Sequence, residues 1–260
     1  MITITVVTVT WQAAQVLQPT LDSVARQTYE AVEHLIIDGA STDGTLAIAE
    51  RYRDDCAHAG SPHQVVICSE PDKGLYDAMN KGLAKATGHY VVFLNAGDRF
   101  AGDDTLERVA ATAMAAGDGQ LPAVIYGDTH LIDSEGHDLG PRRLRPPRQL
   151  SWRSFRHGML VCHQAFFART DIARHIRYDT RYRYSADVDW CIRVMKEAQR
   201  TNAALTPVGD VTALFLEGGQ TTAHHRDSLK ERFQVMRRHY GLCTTVLMHG
   251  WFVIRQLFNH

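Results

Sequence analysis

The sequence has no CxxC pair, no glycine-rich turn after its first strand-like run and no apolar stretch long enough to span a bilayer. Its five cysteines, Cys56, Cys68, Cys162, Cys191 and Cys243, are odd in number and scattered. That usage points to free, mostly buried thiols in a reducing compartment, and away from a disulfide framework or a zinc site. Strong charge of either sign is also missing. The 28 Lys and Arg against 29 Asp and Glu leave a net charge of −1, which argues against bulk electrostatic binding of nucleic acid. Met1 is followed directly by Ile2-Thr3-Ile4-Thr5-Val6-Val7, with no cationic lead and no cleavage site. No signal peptide is expected, and the chain reads as cytoplasmic.

The familiar nucleotide and hydrolase signatures are absent too. Thr8-Val9-Thr10-Trp11 lacks the glycines of a dinucleotide fingerprint. There is no P-loop, no GxSxG nucleophile elbow and no HExxH helix. A dehydrogenase, a P-loop NTPase, an α/β-hydrolase and a zincin each lose their first support.

What is present is 260 residues of ordinary globular composition, 45% apolar and 22% charged. That is enough for one large α/β domain, with or without an appendage. Short β-branched runs alternate with helical patterns through the first half, predicting a mainly parallel sheet with crossover helices. Strands are expected over residues 2–10, 32–37, 65–68, 90–94 and 123–127, and helices over 16–27, 45–53, 74–86 and 103–116. After residue 129 the pattern changes. Asp133-Ser134-Glu135-Gly136 reads as a hairpin turn and residues 141–156 as a Pro- and Arg-rich connection. Strands over 159–168 and 207–216, a helix over 187–199 and a helix opened by Ser228-Leu229-Lys230-Glu231 at capping-box spacing complete the reading. The division expected is a first half over 1–128, a second half of the same domain over 129–225, and a helical tail over 226–260.

Ligands of open α/β sheets bind beyond the carboxyl ends of the strands, and that is where this chain places its carboxylates. Asp38, after the second strand, offers an acceptor for the imino NH of a uracil or guanine; a turn-forming Asp-Gly is the plain alternative. Asp98, in Asn95-Ala96-Gly97-Asp98, offers a hard oxygen to magnesium or manganese, or else caps the next helix. Asp187 and Asp189 open a helix, where the dipole favours acids whatever their role.

Taken in order, Ile37-Asp38-Gly39-Ala40-Ser41-Thr42-Asp43-Gly44-Thr45, Ser69-Glu70-Pro71-Asp72-Lys73-Gly74-Leu75-Tyr76-Asp77-Ala78-Met79-Asn80-Lys81-Gly82 and Phe93-Leu94-Asn95-Ala96-Gly97-Asp98 resemble the successive motifs of family-two glycosyltransferases of the GT-A fold. The likeness continues through His163-Gln164, residues 185–189 and Gly218-Gly219-Gln220-Thr221-Thr222, covering the chain to about residue 240. It is strongest toward bacterial polysaccharide enzymes, such as those of colanic-acid assembly.

The resemblance implies roles. Asp38, Thr8 and Thr10 would line the base pocket, and Lys73, Gly74 and Asn80 would lie beside ribose and diphosphate, with Asn95 and Gly97 nearby. Asp98 would hold the metal and Asp187 would be the catalytic base of an inverting transfer. Where the family commonly has two or three acids, this chain has Asn95, Gly97 and Asp98, so a cation (Mn or Mg) is expected to bind with help from the donor.

Further expectations concern the acceptor and the surface. His163 and Gln164 are placed on the acceptor side of the cleft, with a structural histidine as the alternative. Thr222 and His224 are candidates for diphosphate contact, and Arg145 and Arg148 for a cover that grips diphosphate, against a solvated loop. The tail over 242–258, with Trp251 and Phe252, docks as a core helix, lies in a membrane interface or makes a dimer contact. The expected activity is transfer from a nucleotide-diphospho-sugar, UDP-sugar before GDP-sugar, to a saccharide or lipid-linked saccharide in cell-surface polysaccharide or glycolipid assembly, in the cytoplasm or at the inner membrane face. The alternatives are a non-catalytic nucleotide-sugar-binding scaffold of the same fold and a sugar-phosphate nucleotidyltransferase.

Overall fold

The computed structural model describes residues 1–115, 119–218 and 225–257. Strand β1, Ile4–Thr10, is buried along its whole length because parallel strands flank it on both sides. These neighbours are β2, Val32–Asp38, and β4, Tyr90–Phe93; β3, Gln64–Ser69, continues the parallel sheet beyond β2. A strand covered on both faces has no polar side to show, which is why these runs are nearly continuous in Val, Ile and Leu.

Register then fixes the site. Thr10 pairs with Asp38 and Asp38 with Ser69, so three polar side chains end their strands in one row.

Helices α1, Leu17–Ala25, and α2, Thr45–His58, cover one face through Leu17, Leu21, Ile36, Ala49 and Tyr52. Helix α3, Leu75–Lys85, covers the other through Met79 and Leu83 against Val7, Leu35 and Ile37. Its approach to β1 requires Gly82, where an added Cβ would stand 2.4 Å from Val7 Cγ1. This half follows the sequence reading closely.

The second half is mixed. After the two-residue β5, Arg99–Phe100, and α4, Thr105–Met114, come β6, Val124–Ile132, and β7, Asp138–Pro141, joined by the expected turn. Next are β8, Phe166–Arg169, the short α5, Thr170–Ala173, α6, Ala186–Arg200, and β9, Leu205–Leu216. The sheet order is β3-β2-β1-β4-β8-β6-β9-β5, with β7 on β6. Strand β8 runs antiparallel to both β4 and β6, while β9 is parallel to β6. The expected division at 128/129 falls inside β6, so one sheet carries both halves.

Two sequence expectations are corrected. The strand over 159–168 is an irregular stretch over 159–162 and a 3-10 turn, His163–Ala165, followed by β8. Its apolar residues Met159, Val161 and Cys162 are buried without pairing in the sheet, and burial rather than strand period produced the pattern. Ser228 is not a helix cap, because α7 already begins in His225–Tyr240 and Glu231 bonds elsewhere. Helix α8, Leu242–Leu257, follows. No helix among the described residues is long and apolar enough to cross a membrane.

Candidate active site

At the row of strand ends, Asp38 is 1% exposed and accepts four hydrogen bonds. Thr10 Oγ1 at 3.0 Å and Ser41 Oγ at 2.6 Å serve one oxygen; Ser41 N–H at 3.0 Å and Ser69 Oγ at 2.7 Å serve the other. Burial pushes the carboxyl up, but these donors outweigh it and hold Asp38 below its ordinary range. Thr8, two residues deeper, is fully buried with its hydroxyl 2.9 Å from His34 Nε2, so its side chain does not reach the pocket. Trp11, which the motif reading passed over, is 64% exposed beside these strand ends. Gly39 is needed there, since a Cβ would stand 2.4 Å from Asp72 Oδ2 and 3.3 Å from Trp11 Cδ1.

The second cluster forms a line across the C-terminal ends of β4 and the start of α6. Gly97 takes φ +101° and lies where a Cβ would be 2.8 Å from Leu216 Cδ2, so the turn is closed against β9. Asp98 is buried; its Oδ2 accepts from Gln164 Nε2 at 2.8 Å and its Oδ1 from the Leu216 N–H at 3.1 Å. Desolvation prevails over these bonds, and the carboxyl is pushed up to about 6. Gln164 is therefore a buried partner of Asp98, not the acceptor contact expected of it.

Asn95 Nδ2 donates to His163 Nε2 at 3.1 Å, which leaves His163 Nδ1 to donate to Asp187 Oδ2 at 3.3 Å. The other Asp187 oxygen accepts from Tyr76 OH at 3.1 Å and from the Val188 N–H at 2.9 Å. Burial pushes Asp187 up, yet the hydrogen bond from His163, the Val188 N–H and the charge of Arg232 together hold it below its ordinary range. Asp189, two residues on, is fully enclosed by Arg193 at 2.6 Å and His239 at 2.8 Å. Of the two acids, Asp187 has the cleft and Asp189 has the core.

Other expected residues go elsewhere. Asn80 clamps the Tyr178 backbone, donating to its carbonyl at 3.0 Å and accepting its N–H at 2.7 Å, so its amide is taken up structurally. Lys73 is exposed and Gly74 takes φ +114°; their N–H groups go to Asp77 at 3.0 Å and Asp72 at 2.7 Å. Arg145 grips Asp128 through Nε at 2.6 Å and is not a free diphosphate grip. Arg148 lines a cavity of about 430 Å³ with Trp152, Met195 and Gln199. Met195 is eight residues along α6 from Asp187, roughly 12 Å away at helical rise. Thr222 and His224 lie outside the described residues.

Three contributors were given no role from the sequence. Tyr76 appeared only inside a motif, Glu231 only as a cap, and Arg232 not at all. The Glu231 carboxylate accepts from the N–H groups of Arg183 at 2.8 Å, Tyr184 at 2.7 Å and Ser185 at 3.1 Å, closing the entry to α6 from another helix. Arg232, next in sequence, has a buried Nε with no hydrogen-bond partner among the described residues.

Among the described residues no group of three or more His, Cys, Asp or Glu is placed to hold a metal. The donor set that fits a hard divalent cation is Asp98 with the buried, unpartnered Asn95 Oδ1, too few without substrate phosphates.

A half-parallel sheet with carboxylates gathered at its strand ends has the architecture of the GT-A fold. Residues 5–177 match Glycosyl transferase family 2, and the chain belongs to that family. It is 37% identical over 185 residues to a PGL/p-HBAD biosynthesis glycosyltransferase of Mycobacterium bovis (strain BCG / Pasteur 1173P2), covering 71% of this chain and 66% of that one. It is 28% identical to the amylovoran biosynthesis glycosyltransferase AmsB of Erwinia amylovora, over 88% of this chain and 75% of the relative. The chain thus spans slightly less than two thirds of the mycobacterial relative. S. aureus TarS in complex with UDP-GlcNAc shares the fold at TM-score 0.69 and 18% identity, covering 90% of this chain and 64% of that one. The mannosyltransferase PcManGT from Pyrobaculum calidifontis, in complex with GDP-Man and Mn2+, does so at 0.60 and 18%, covering 90% and 63%.

Proposed function

We propose that this glycosyltransferase moves a sugar from a nucleotide-diphospho-sugar to an acceptor hydroxyl with inversion, Asp187 taking the hydroxyl proton. The observation that carries the reading is the Asn95–His163–Asp187 line, which ends in a cleft-side carboxylate held ionised. A general base must be charged and oriented before substrate arrives, and His163 and Tyr76 orient this one from two sides. In this reading the Asp38 pocket receives the base, with the open face of Trp11 beside it for a planar ring. UDP is favoured over GDP, in keeping with the UDP and UDP-GlcNAc of the TarS complexes. Asp98 and Asn95 would hold a divalent cation together with the donor's phosphates, where the ion would offset charge on the departing diphosphate. The acceptor is a saccharide or lipid-linked saccharide in polysaccharide or glycolipid assembly, as the names of the mycobacterial and Erwinia relatives suggest.

We place the enzyme at the inner membrane face. Helix α8 exposes Leu242, Val246, Leu247, Trp251 and Ile254 on its outer side, and α7 beside it exposes Arg226, Lys230, Arg237 and Arg238. An apolar face flanked by cations suits an anionic bilayer surface. Truncation after Tyr240 should abolish binding to anionic vesicles; loss of a dimer instead would assign the face to a second copy.

The experiment that tests the whole reading is a thermal-shift and donor-hydrolysis screen over UDP- and GDP-sugars, with and without manganese. Stabilisation by one nucleotide, enhanced by the metal, is expected. No response to any of them refutes the donor assignment.

A further inference from the structure

Near the cleft Arg145 is neutralised at close range by Asp128 and Arg193 by Asp189. Arg142 and Arg232 form no ion pair among the described residues. Arg232 directly follows the part of α7 that is fastened to the start of α6 through Ser228, whose carbonyl accepts from Ser185 Oγ at 3.3 Å, and Glu231, bonded to residues 183–185. That docking carries the Arg232 guanidinium into the field of Asp187 and Tyr76, with its Nε buried and unpartnered. Arg142 reaches in from the end of β7, where among the described residues its only hydrogen bond from the side chain is a long one of 3.4 Å to the Met159 carbonyl. The two like charges oppose each other, and the nearby charge of Asp187 is shared with His163.

A buried guanidinium nitrogen without a partner costs free energy unless a ligand completes it. Two converging arginines match the charge and fork geometry of a phosphate better than that of a neutral sugar. Both come from elements after residue 128, opposite the Asp38 pocket. We propose that Arg142 and Arg232 form a second anion site, on the acceptor side of Asp187, that takes a phosphate group carried by the acceptor. It rests on the reading of Asp187 as the base that activates the acceptor hydroxyl.

The test titrates inorganic pyrophosphate by calorimetry into the full chain saturated with UDP or GDP, whichever binds. Pyrophosphate should still bind, and Arg232→Gln and Arg142→Gln should each weaken it at least tenfold while nucleotide affinity stays within twofold. Arg232→Lys should keep part of the affinity. Competition between pyrophosphate and nucleotide would assign the anion to the donor's own diphosphate and overturn the proposal, as would wild-type binding by the glutamine variants. Should Arg232→Gln fail to fold, Arg142→Gln, a half-exposed position, decides alone. A chain that binds neither nucleotide refutes the donor reading separately, and the variants then still report whether the pyrophosphate site is theirs.

Discussion

The pocket at Asp38 and the cleft between Asp98 and Asp187 stand at the same edge of one sheet, yet they are finished differently. Every oxygen of Asp38 is met by hydroxyl or backbone donors, and none of the side chains that hold it carries a buried unpartnered atom. Along the other cluster, Asn95 Oδ1, Gln164 Oε1 and Arg232 Nε are all buried without partners among the described residues. Buried polar groups are normally satisfied, and exceptions gather where a ligand is to complete them. The first region is a shape held ready; the second keeps bonding capacity in reserve for substrate.

The sharpest way to break this contrast is Asp187→Asn. Turnover should fall about a thousandfold, within the usual reach of a general base, while nucleotide-induced stabilisation is unchanged. Near-normal turnover would remove Asp187 from the role. Asp98→Asn should act on binding and stability in opposite directions. At pH 7 the buried carboxylate is charged against its environment, so the variant should melt higher without nucleotide, by an effect on the order of 2 kcal/mol. Gln164 Oε1 is free to accept from the new amide. The same variant should lose any response of nucleotide binding to manganese. A lower melting temperature would show that Asp98 is a structural anchor. Because its folded value is raised, its unfavourable term grows as pH rises from about 4 to about 6 and is constant above.

Asp38 has the opposite sign. Its folded value is lowered, so it contributes stability above the unfolded value near 3.8, lost as pH falls through the folded one. Asp38→Asn should cost about 2 kcal/mol in urea unfolding at pH 7, and the gap to wild type should narrow as pH falls through the lowered folded value. A gap that persists in acid would mean that the charge is not what the hydroxyls serve. The smallest effect is expected from Arg145→Ala, whose donor KM should stay within twofold of wild type, because its guanidinium already belongs to Asp128.

The same contrast explains what the sequence could reveal. Parallel strands buried on both faces announce themselves as β-branched runs, and a carboxylate at the end of such a run is visible by position, as Asp38 and Asp98 were. What cannot be read is whether the side chain is already occupied. Asn80 sits in the right motif, yet its amide serves Tyr178. Asp187 and Asp189 are alike in spacing and differ only in which side of α6 meets His239. Arg232 had no signal at all, since an unpaired charge is a property of surroundings assembled from α6, α7 and β7. The motifs of residues 159–168 and 228–231 misled for a related reason: apolar content and capping spacing are local, and both segments answer to distant partners.

Glu231 has one more consequence, for the order in which the enzyme comes into being. The N–H groups that open the helix of Asp187 wait for a carboxylate made nearly fifty residues later. A nascent chain that has released its whole sheet still lacks that closure, and the start of the helix that carries Asp187 is left with open N–H groups until α7 emerges and docks.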